Sequence, residues 1–222
     1  MWASSLPATA GAPRAKALGD LLFARAFAEL AAPGSERQVE LLASASVRLA
    51  RGELAQRRDA FDLEISAERY LERCELKTAR LFECACVIGR RDPAADPHLR
   101  RYGREVGLGF QLLDDVLDVA GPPERTGKAR GTDLLDGTVT MPLILARERD
   151  RSLGKLDLRS LDAAGAEEAC ARIAATGALE EVRAAARERI GGAKTALDEA
   201  PLDREQQRLL SLVADGVVER YS

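Results

Sequence analysis

The chain has 222 residues, of which 46% are hydrophobic and 31% are charged, and its net charge is −3 at pH 7. This length suits one domain with a sizeable core, and the interspersed charges exclude the one-signed basic surface typical of nucleic-acid binders. Ala, Leu, Glu and Arg dominate, while runs of β-branched or aromatic residues are nearly absent, so we expect an all-α protein. No apolar stretch reaches the roughly 18 residues of a membrane span, so none is expected.

Apolar residues recur at helical spacing along most of the chain. Residues 1–14 are predicted to be irregular, and residues 15–222 are predicted to form a single helical domain. Proline and glycine mark several helix ends, and Ser35 and Ser66 are plausible N-caps. Gly52 inside the second helix indicates close packing or a nearby ligand. The predicted helices are, in chain order, 15–32, 35–61, 66–89, 96–119, 141–149, 165–176, 178–199 and 203–220.

The architecture that this pattern favours is a helical bundle, since no repeat and no strand–helix alternation is visible. The four cysteines show neither a Cys-x-x-Cys pair nor a pairing with the single histidine. We expect free, partly buried thiols and a cytoplasmic protein. The first residues lack the apolar segment of a signal peptide, which agrees with that expectation.

Three aspartates lie within five residues of one predicted helix, at Asp114, Asp115 and Asp118. Positions four apart share a helix face, so the carboxylates repel one another unless a cation lies between them. Hard divalent ions such as Mg²⁺ take oxygen ligands and keep open positions for phosphate oxygens. The alternative is a solvated acidic face, although apolar residues surround all three acids. From the residues alone, both interpretations stay open.

The loop after this helix favours a phosphate ligand, because Lys128 and Arg130 stand among glycines there. It is not a nucleotide-binding P-loop. That motif requires glycine at position 122, where this chain has Pro122, and Ser or Thr at position 129, where it has Ala129.

The stretch "GFQLLDDVLDVAG", followed by "GKARGTDLLDGTVTMP", closely resembles the second aspartate-rich region of the trans-isoprenyl diphosphate synthases, or polyprenyl synthetases. The likeness extends in order through "GDLL", "GELAQ", "YLERCELKTA" and the C-terminal helices, and covers about residues 15–220. The resemblance implies an isoprenoid-synthase-type helical bundle. It also implies a prenyltransferase that condenses isopentenyl diphosphate with an allylic diphosphate.

The resemblance also implies roles for individual side chains. Asp114, Asp115 and Asp118 would hold Mg²⁺ that bridges the allylic diphosphate. Two lysines and two supporting polar residues would contact the diphosphate: Lys77, Lys128, Thr78 and Gln111. Three further residues would lie at the rim of the site: Glu53, Gln56 and Asp133. By helical periodicity alone, Lys77 would be an ordinary surface lysine and Gln111 an ordinary polar helix residue.

The chain departs from the family pattern in two places. Thr138 stands where the family normally has a lysine, which removes one expected diphosphate contact. The family's first aspartate-rich motif lies upstream of the "GDLL" segment, where this chain has few residues and no acid. We therefore expect an N-terminally incomplete synthase, inactive or impaired as it stands. Uncovered apolar faces are expected on the helices carrying residues 21–30 and 112–119.

Three interpretations remain for the function. The first is the prenyltransferase, as a homodimer. The second is a catalytically silent partner subunit of a complete, related synthase. The third, a class I terpene cyclase, fits less well, because those enzymes usually replace the second Asp-Asp-x-x-Asp motif with an Asn/Ser/Glu motif.

Overall fold

The computed structural model describes residues 12–31, 34–90, 92–121 and 130–220, and within these ranges it contains helices and no strand. The all-α prediction is therefore confirmed. The α-helices are α1 (Ala12–Leu30), α2 (Glu36–Arg58), α3 (Ala67–Cys74), α4 (Arg80–Ile88), α5 (Asp96–Ala120), α6 (Thr132–Leu135), α7 (Met141–Arg149), α8 (Ala163–Ala175), α9 (Ala178–Asp198) and α10 (Arg204–Arg220). Short 3₁₀ turns cover Pro93–Ala95 and Leu153–Lys155.

Helix α5 is the central element, and α9 and α4 pack along it over most of their lengths. It buries apolar side chains on several sides, among them Leu99, Val106, Leu112 and Val116, because neighbouring helices cover most of its surface. Tyr102 is also buried in this helix, where its hydroxyl donates to the carbonyl of Leu210 at 2.7 Å. A buried hydroxyl needs such a partner.

The predicted third helix is interrupted by one π-helical turn, Glu75–Ala79, between α3 and α4. Two glycines hold this turn between α2 and α5. A Cβ atom on Gly52 would lie 2.7 Å from the backbone nitrogen of Lys77, and one on Gly107 would lie 2.7 Å from Cα of Ala79. The close packing predicted at Gly52 is therefore confirmed, and it positions the backbone of Lys77.

We expect Gly52→Ala to destabilise the protein by about 1–3 kcal/mol, the usual cost of forcing extra atoms into a packed site. Gly19→Ala is the matched control, because Gly19 is also inside a helix but has nothing within 4 Å of its Cβ position. That control should gain up to about 1 kcal/mol from helix propensity. Urea unfolding measures both, and equal effects at the two sites would contradict the close approach.

The N-cap predictions differ in outcome. The Ser66 hydroxyl accepts from the backbone N–H of Arg69 at 3.2 Å and caps α3. Ser35 precedes α2 as predicted, but its side chain makes no capping hydrogen bond. Helix α2 ends at Arg58, before the predicted end near Phe61, and the backbone of Phe61 is left-handed with φ 66°, which a helix cannot include.

The uncovered apolar faces were predicted correctly for one of two helices. Leu21 and Leu22 on α1 are 54% and 60% exposed. The second expectation was wrong, since Leu112 and Leu113 on α5 are buried by α7, α9 and their neighbours. All four cysteines are free, and Cys74, Cys84 and Cys170 are buried. Among the residues described above, no helix combines the length and the apolar character needed to cross a bilayer.

Candidate active site

A cavity of about 300 Å³ opens where α2, α3, the π-helical turn and α5 meet the segment that follows α6. Its lining is predominantly polar and contains both cationic and acidic groups. The lining residues are Gln56, Tyr70, Arg73, Cys74, Lys77, Gln111, Asp114, Asp115, Asp133, Thr138 and Thr140. Six of these were predicted as site residues from the sequence: Gln56, Lys77, Gln111, Asp114, Asp115 and Asp133.

Lys77 extends from the π-helical turn with its ammonium group held between two acceptors. Its Nζ donates to Oε1 of Gln56 at 3.0 Å and lies 3.1 Å from Oε1 of Glu53. The side chain is 33% exposed, so water and a ligand can both reach it. π-Helical turns occur frequently at functional sites, and this one places the ammonium group at the cavity wall.

Gln111 joins the π-helical turn to the acidic helix. Its Oε1 accepts from the hydroxyl of Thr78 at 2.8 Å, and its Nε2 donates to Oδ1 of Asp115 at 2.9 Å. Because both ends of the amide have partners, its orientation is fixed. Thr78 does not line the cavity itself but contacts Gln111, which does.

Asp115 is 1% exposed, the most deeply buried of the three aspartates. The hydroxyl of Tyr70 donates to its Oδ2 at 2.5 Å. Burial raises the pKa of Asp115 to about 7, the hydrogen bonds from Tyr70 and Gln111 lower it, and the neighbouring carboxylate of Asp114 raises it. A carboxylate with this pKa is poised to exchange a proton near neutral pH, or to be held ionised by a bound cation.

Asp114 and Asp118 differ from Asp115 in their surroundings. Asp114 is exposed and lines the cavity. Asp118 is half-buried one turn further along α5, where its Oδ2 accepts from the backbone N–H of Asp133 at 3.1 Å. In the part of the chain that the structure describes, no three metal-ligating side chains converge on one point. The donors nevertheless suit Mg²⁺, which prefers carboxylate oxygens and shares its remaining positions with phosphates and water.

The loop residues predicted to contact phosphate have separate outcomes. Lys128 lies outside the described residues. Arg130 does not line the cavity, because its Nε donates to the carbonyl of Val119 at 2.8 Å and its Nη1 pairs with Glu167 at 2.5 Å. Its contribution to a phosphate site stays a prediction, and its observed contacts tie the loop to α5 and α8.

Thr138, at the position where a lysine was expected, is nearly buried in the cavity wall. Its hydroxyl oxygen accepts from Nε2 of Gln56 at 3.3 Å, and its backbone N–H donates to the carbonyl of Asp133 at 2.7 Å. The lining on this side is uncharged at Thr138 and Thr140.

Four further lining residues were not predicted as site residues from the sequence: Tyr70, Arg73, Cys74 and Thr140. Tyr70 lies seven residues before Lys77, which is two helical turns, so the sequence already places both on the same helix face. Its hydrogen-bond partner Asp115 could not be predicted in this way. Arg73 is 3% exposed, and its Nη2 donates to the carbonyl of Val139 at 2.6 Å. Its spacing from Lys77 also placed it on this face.

The fold and the cavity define an all-helical protein whose central helix presents carboxylates opposite a lysine at one polar cleft. The family described as polyprenyl synthetase matches residues 3–173, and the chain belongs to that family. The resemblance noted in the sequence is thereby confirmed.

Two curated relatives illustrate the range of similarity. The heptaprenyl diphosphate synthase component 2 of Geobacillus stearothermophilus is 38% identical over 137 residues, covering 60% of this chain and 43% of that protein. The octaprenyl diphosphate synthase of Haemophilus influenzae is 32% identical over 213 residues, covering 92% and 65%. The chain spans about half the length of several curated relatives that it matches.

Solved structures share the fold. A decaprenyl diphosphate synthase from Rhodobacter capsulatus superposes with a TM-score of 0.78 at 34% identity, covering 92% of this chain and 66% of the other. A polyprenyl synthase from Caulobacter crescentus CB15, complexed with calcium and isoprenyl diphosphate, gives a TM-score of 0.80 at 35% identity, covering 96% and 67%. The isoprenoid-synthase-type bundle predicted from the sequence is confirmed.

Proposed function

We propose that this chain contributes a diphosphate- and magnesium-binding site to a prenyltransferase that joins isopentenyl diphosphate to an allylic diphosphate. The observation that carries the proposal is the convergence of Lys77, Gln111, Asp114 and Asp115 on one polar cavity. The family membership and the printed names of the relatives support it. Residues 15–222 would form one helical domain around this site.

In this proposal the acidic side of the cavity binds Mg²⁺ through Asp114, Asp115 and Asp118, with Asp114 the most accessible ligand. Bound Mg²⁺ supplies positive charge that stabilises the departing diphosphate. The relative complexed with calcium and isoprenyl diphosphate supports a divalent cation together with a diphosphate ligand. Without a cation, adjacent carboxylates and a diphosphate would repel one another.

The basic side of the cavity contacts the diphosphate directly. Lys77 binds diphosphate oxygens as a point charge from the cavity wall, and we propose the same role for Lys128, which lies outside the described residues, since each ammonium group offers three donors. Glu53 and Gln56 hold the ammonium group of Lys77 in place from the rim until the ligand arrives. Thr78 fixes the amide of Gln111, and Asp133 completes the rim near Asp118.

The proposed reaction breaks the C1–O bond of the allylic diphosphate and leaves an allylic carbocation with a free diphosphate. The double bond of isopentenyl diphosphate attacks the cation, and the loss of one proton restores a double bond. Lys77 stabilises negative charge where it develops, on the leaving diphosphate. The reaction also requires apolar walls beyond this polar cavity, to exclude water that would otherwise quench the cation.

Calorimetry with inorganic diphosphate tests the site itself. We expect weak Mg²⁺ uptake alone and much tighter uptake once diphosphate is present, because one acidic helix supplies too few ligands to hold the ion tightly. Asp114→Ala should weaken this joint binding by about tenfold or more, the usual scale for losing a hydrogen-bonded or ion-paired charge. Asp136→Ala is the control, since Asp136 is exposed and lies outside the cavity. Mg²⁺ binding that is indifferent to diphosphate would contradict the proposal.

A second candidate function is a catalytically silent subunit that pairs with a complete synthase. The exposed leucines of α1 support it, because uncovered apolar side chains commonly mark contact surfaces. The printed name of one relative, a "component 2", also supports it. Light scattering distinguishes the cases: a homodimer forms from this chain alone, whereas a partner subunit forms a mixed complex with a co-expressed synthase.

A further inference from the structure

Phe61 has an unusual backbone conformation next to the cavity. Among the described residues it is the one residue other than glycine with a positive φ, 66°. A bulky side chain rarely adopts this left-handed conformation, which persists only where surrounding contacts enforce it.

Three contacts hold Phe61 in place. Its backbone N–H donates to the carbonyl of Gly137 at 2.7 Å. Its ring lies directly over Gly137, since a Cβ atom there would come within 2.4 Å of the ring carbons. The guanidinium carbon of Arg159 lies 4.4 Å from the ring centroid. The ring therefore contacts both an exposed cation and a glycine.

A second tie joins the same two segments on the cavity side. Arg73 donates to the carbonyl of Val139 at 2.6 Å, and its Nη1 lies 3.6 Å from Oδ2 of Asp59. Residues 59–61 and 137–139 are thus connected on both sides of Thr138. We call these contacts of Phe61 and Arg73 the clasp.

The clasp continues into the site through two hydrogen bonds. Thr138 accepts from Nε2 of Gln56 at 3.3 Å, and this bond fixes which end of the amide faces Lys77. Oε1 of Gln56 is then the atom that accepts from the Lys77 ammonium group at 3.0 Å. A shift of the 137–139 segment would release Gln56, and an unconstrained amide no longer directs Lys77.

From this geometry we infer that Phe61 is a positioning residue for the diphosphate site, acting through Gly137, Thr138 and Gln56 on the ammonium group of Lys77. Phe61 touches no ligand in this scheme. The inference rests on the proposed function for the identity of the ligand, but its geometric part concerns the 137–139 segment alone.

The test compares Phe61→Asn with Phe61→Tyr in the full chain. Asparagine tolerates the left-handed backbone and keeps the N–H donor, so the backbone at position 61 should be retained, and the melting temperature should fall only by what the lost ring packing costs. Without the ring, the affinity for inorganic diphosphate in the presence of Mg²⁺ should fall roughly 2- to 30-fold, the range for residues that act on a site without contacting its ligand. Tyrosine retains the ring and should restore the affinity.

A double-mutant cycle separates positioning from a general structural role. Thr138→Val removes the bond to Gln56, so adding Phe61→Asn to it should lower the affinity little further. Additive losses, or an unchanged affinity in Phe61→Asn, would overturn the inference.

Failure of the proposed function can be distinguished from failure of the positioning role of Phe61. If the unsubstituted chain takes up no diphosphate, that proposal fails, and hydrogen exchange then decides the geometric part. The Thr138 amide, bonded to the Asp133 carbonyl at 2.7 Å, should exchange faster in Phe61→Asn while amides within α5 stay unchanged. Equal protection at Thr138 in both proteins would contradict the clasp.

Discussion

Residues 1–222 expressed alone are expected to transfer no measurable prenyl group from an allylic diphosphate to isopentenyl diphosphate. The resemblance to the polyprenyl synthetases implies two aspartate-rich motifs around the diphosphate, and this sequence contains one, at Asp114–Asp118. Removing a single well-placed group that stabilises transition-state charge costs about 10²–10³ in rate, and the loss of a whole metal-binding side should cost more. A radiolabelled isopentenyl-transfer assay measures this directly.

The same assay has a positive arm. A chimaera that joins this chain to the first aspartate-rich region of a relative should transfer prenyl groups. In that chimaera, Asp114→Ala and Lys77→Ala should each lower kcat by roughly 10²-fold or more, because both groups act on the leaving diphosphate. Asp136→Ala should leave the rate unchanged. Robust turnover by residues 1–222 alone would show that the first motif is not needed, whereas an inactive but folded chimaera would favour the silent subunit.

Helix positions were largely predictable because local signals mark them. The helix predicted at 141–149 is found at Met141–Arg149, with proline in its first turn. The long helix predicted from Asp96 to about Val119 is found at Asp96–Ala120, again with proline near its start. Proline at the first helical positions and glycine beyond the end carry their information within a few residues.

The π-helical turn at Glu75–Ala79 could not be predicted in this way. It lies between Gly52 and Gly107, more than 20 residues away on either side, and its backbone geometry depends on that tertiary contact. A sequence window around Lys77 contains neither glycine, so the local pattern predicts an unbroken helix. The resemblance identified Lys77 as a candidate, but only the packing places its ammonium group beside Gln56 and Glu53.

The different environments of the three aspartates could not be predicted from the sequence either. Spacing places Asp114 and Asp118 on one face of a helix with Asp115 beside them, yet it does not say which acid is covered. Burial of Asp115 depends on Tyr70, which lies 45 residues earlier in the chain. The ion pair of Arg130 was equally unpredictable, since its partner Glu167 belongs to a helix beyond the predicted loop. Long-range pairings decide the site, whereas local patterns decide the helices.

The buried carboxyl of Asp115 predicts that the protein becomes less stable as the pH rises from about 5 to 7 in the absence of Mg²⁺ and diphosphate. The pKa of Asp115 is about 7 in the folded protein and near the ordinary value of 3.8 in the unfolded chain. The folded state therefore binds the proton more tightly than the unfolded state does. The stabilisation is complete below the unfolded pKa and is lost as the pH passes through the folded one. Because the two pKa values differ by about three units, the loss in the free energy of unfolding is at most on the order of 4 kcal/mol.

Urea unfolding at half-unit steps between pH 5 and pH 8 measures this loss, and Asp115→Asn is the decisive variant. Asparagine keeps the size of the side chain and can still accept from Tyr70, but it does not titrate, so its stability should be flat across the window. Carboxyls with lowered pKa values, such as Asp150 at about 2, are fully ionised above pH 5, so they do not make the free energy of unfolding depend on pH in this range. Mg²⁺ with diphosphate should also flatten the wild-type profile, because a cation beside Asp115 favours its ionised form. An equally steep profile in Asp115→Asn would assign the pH dependence to another group and would contradict a protonated Asp115 in the ligand-free site.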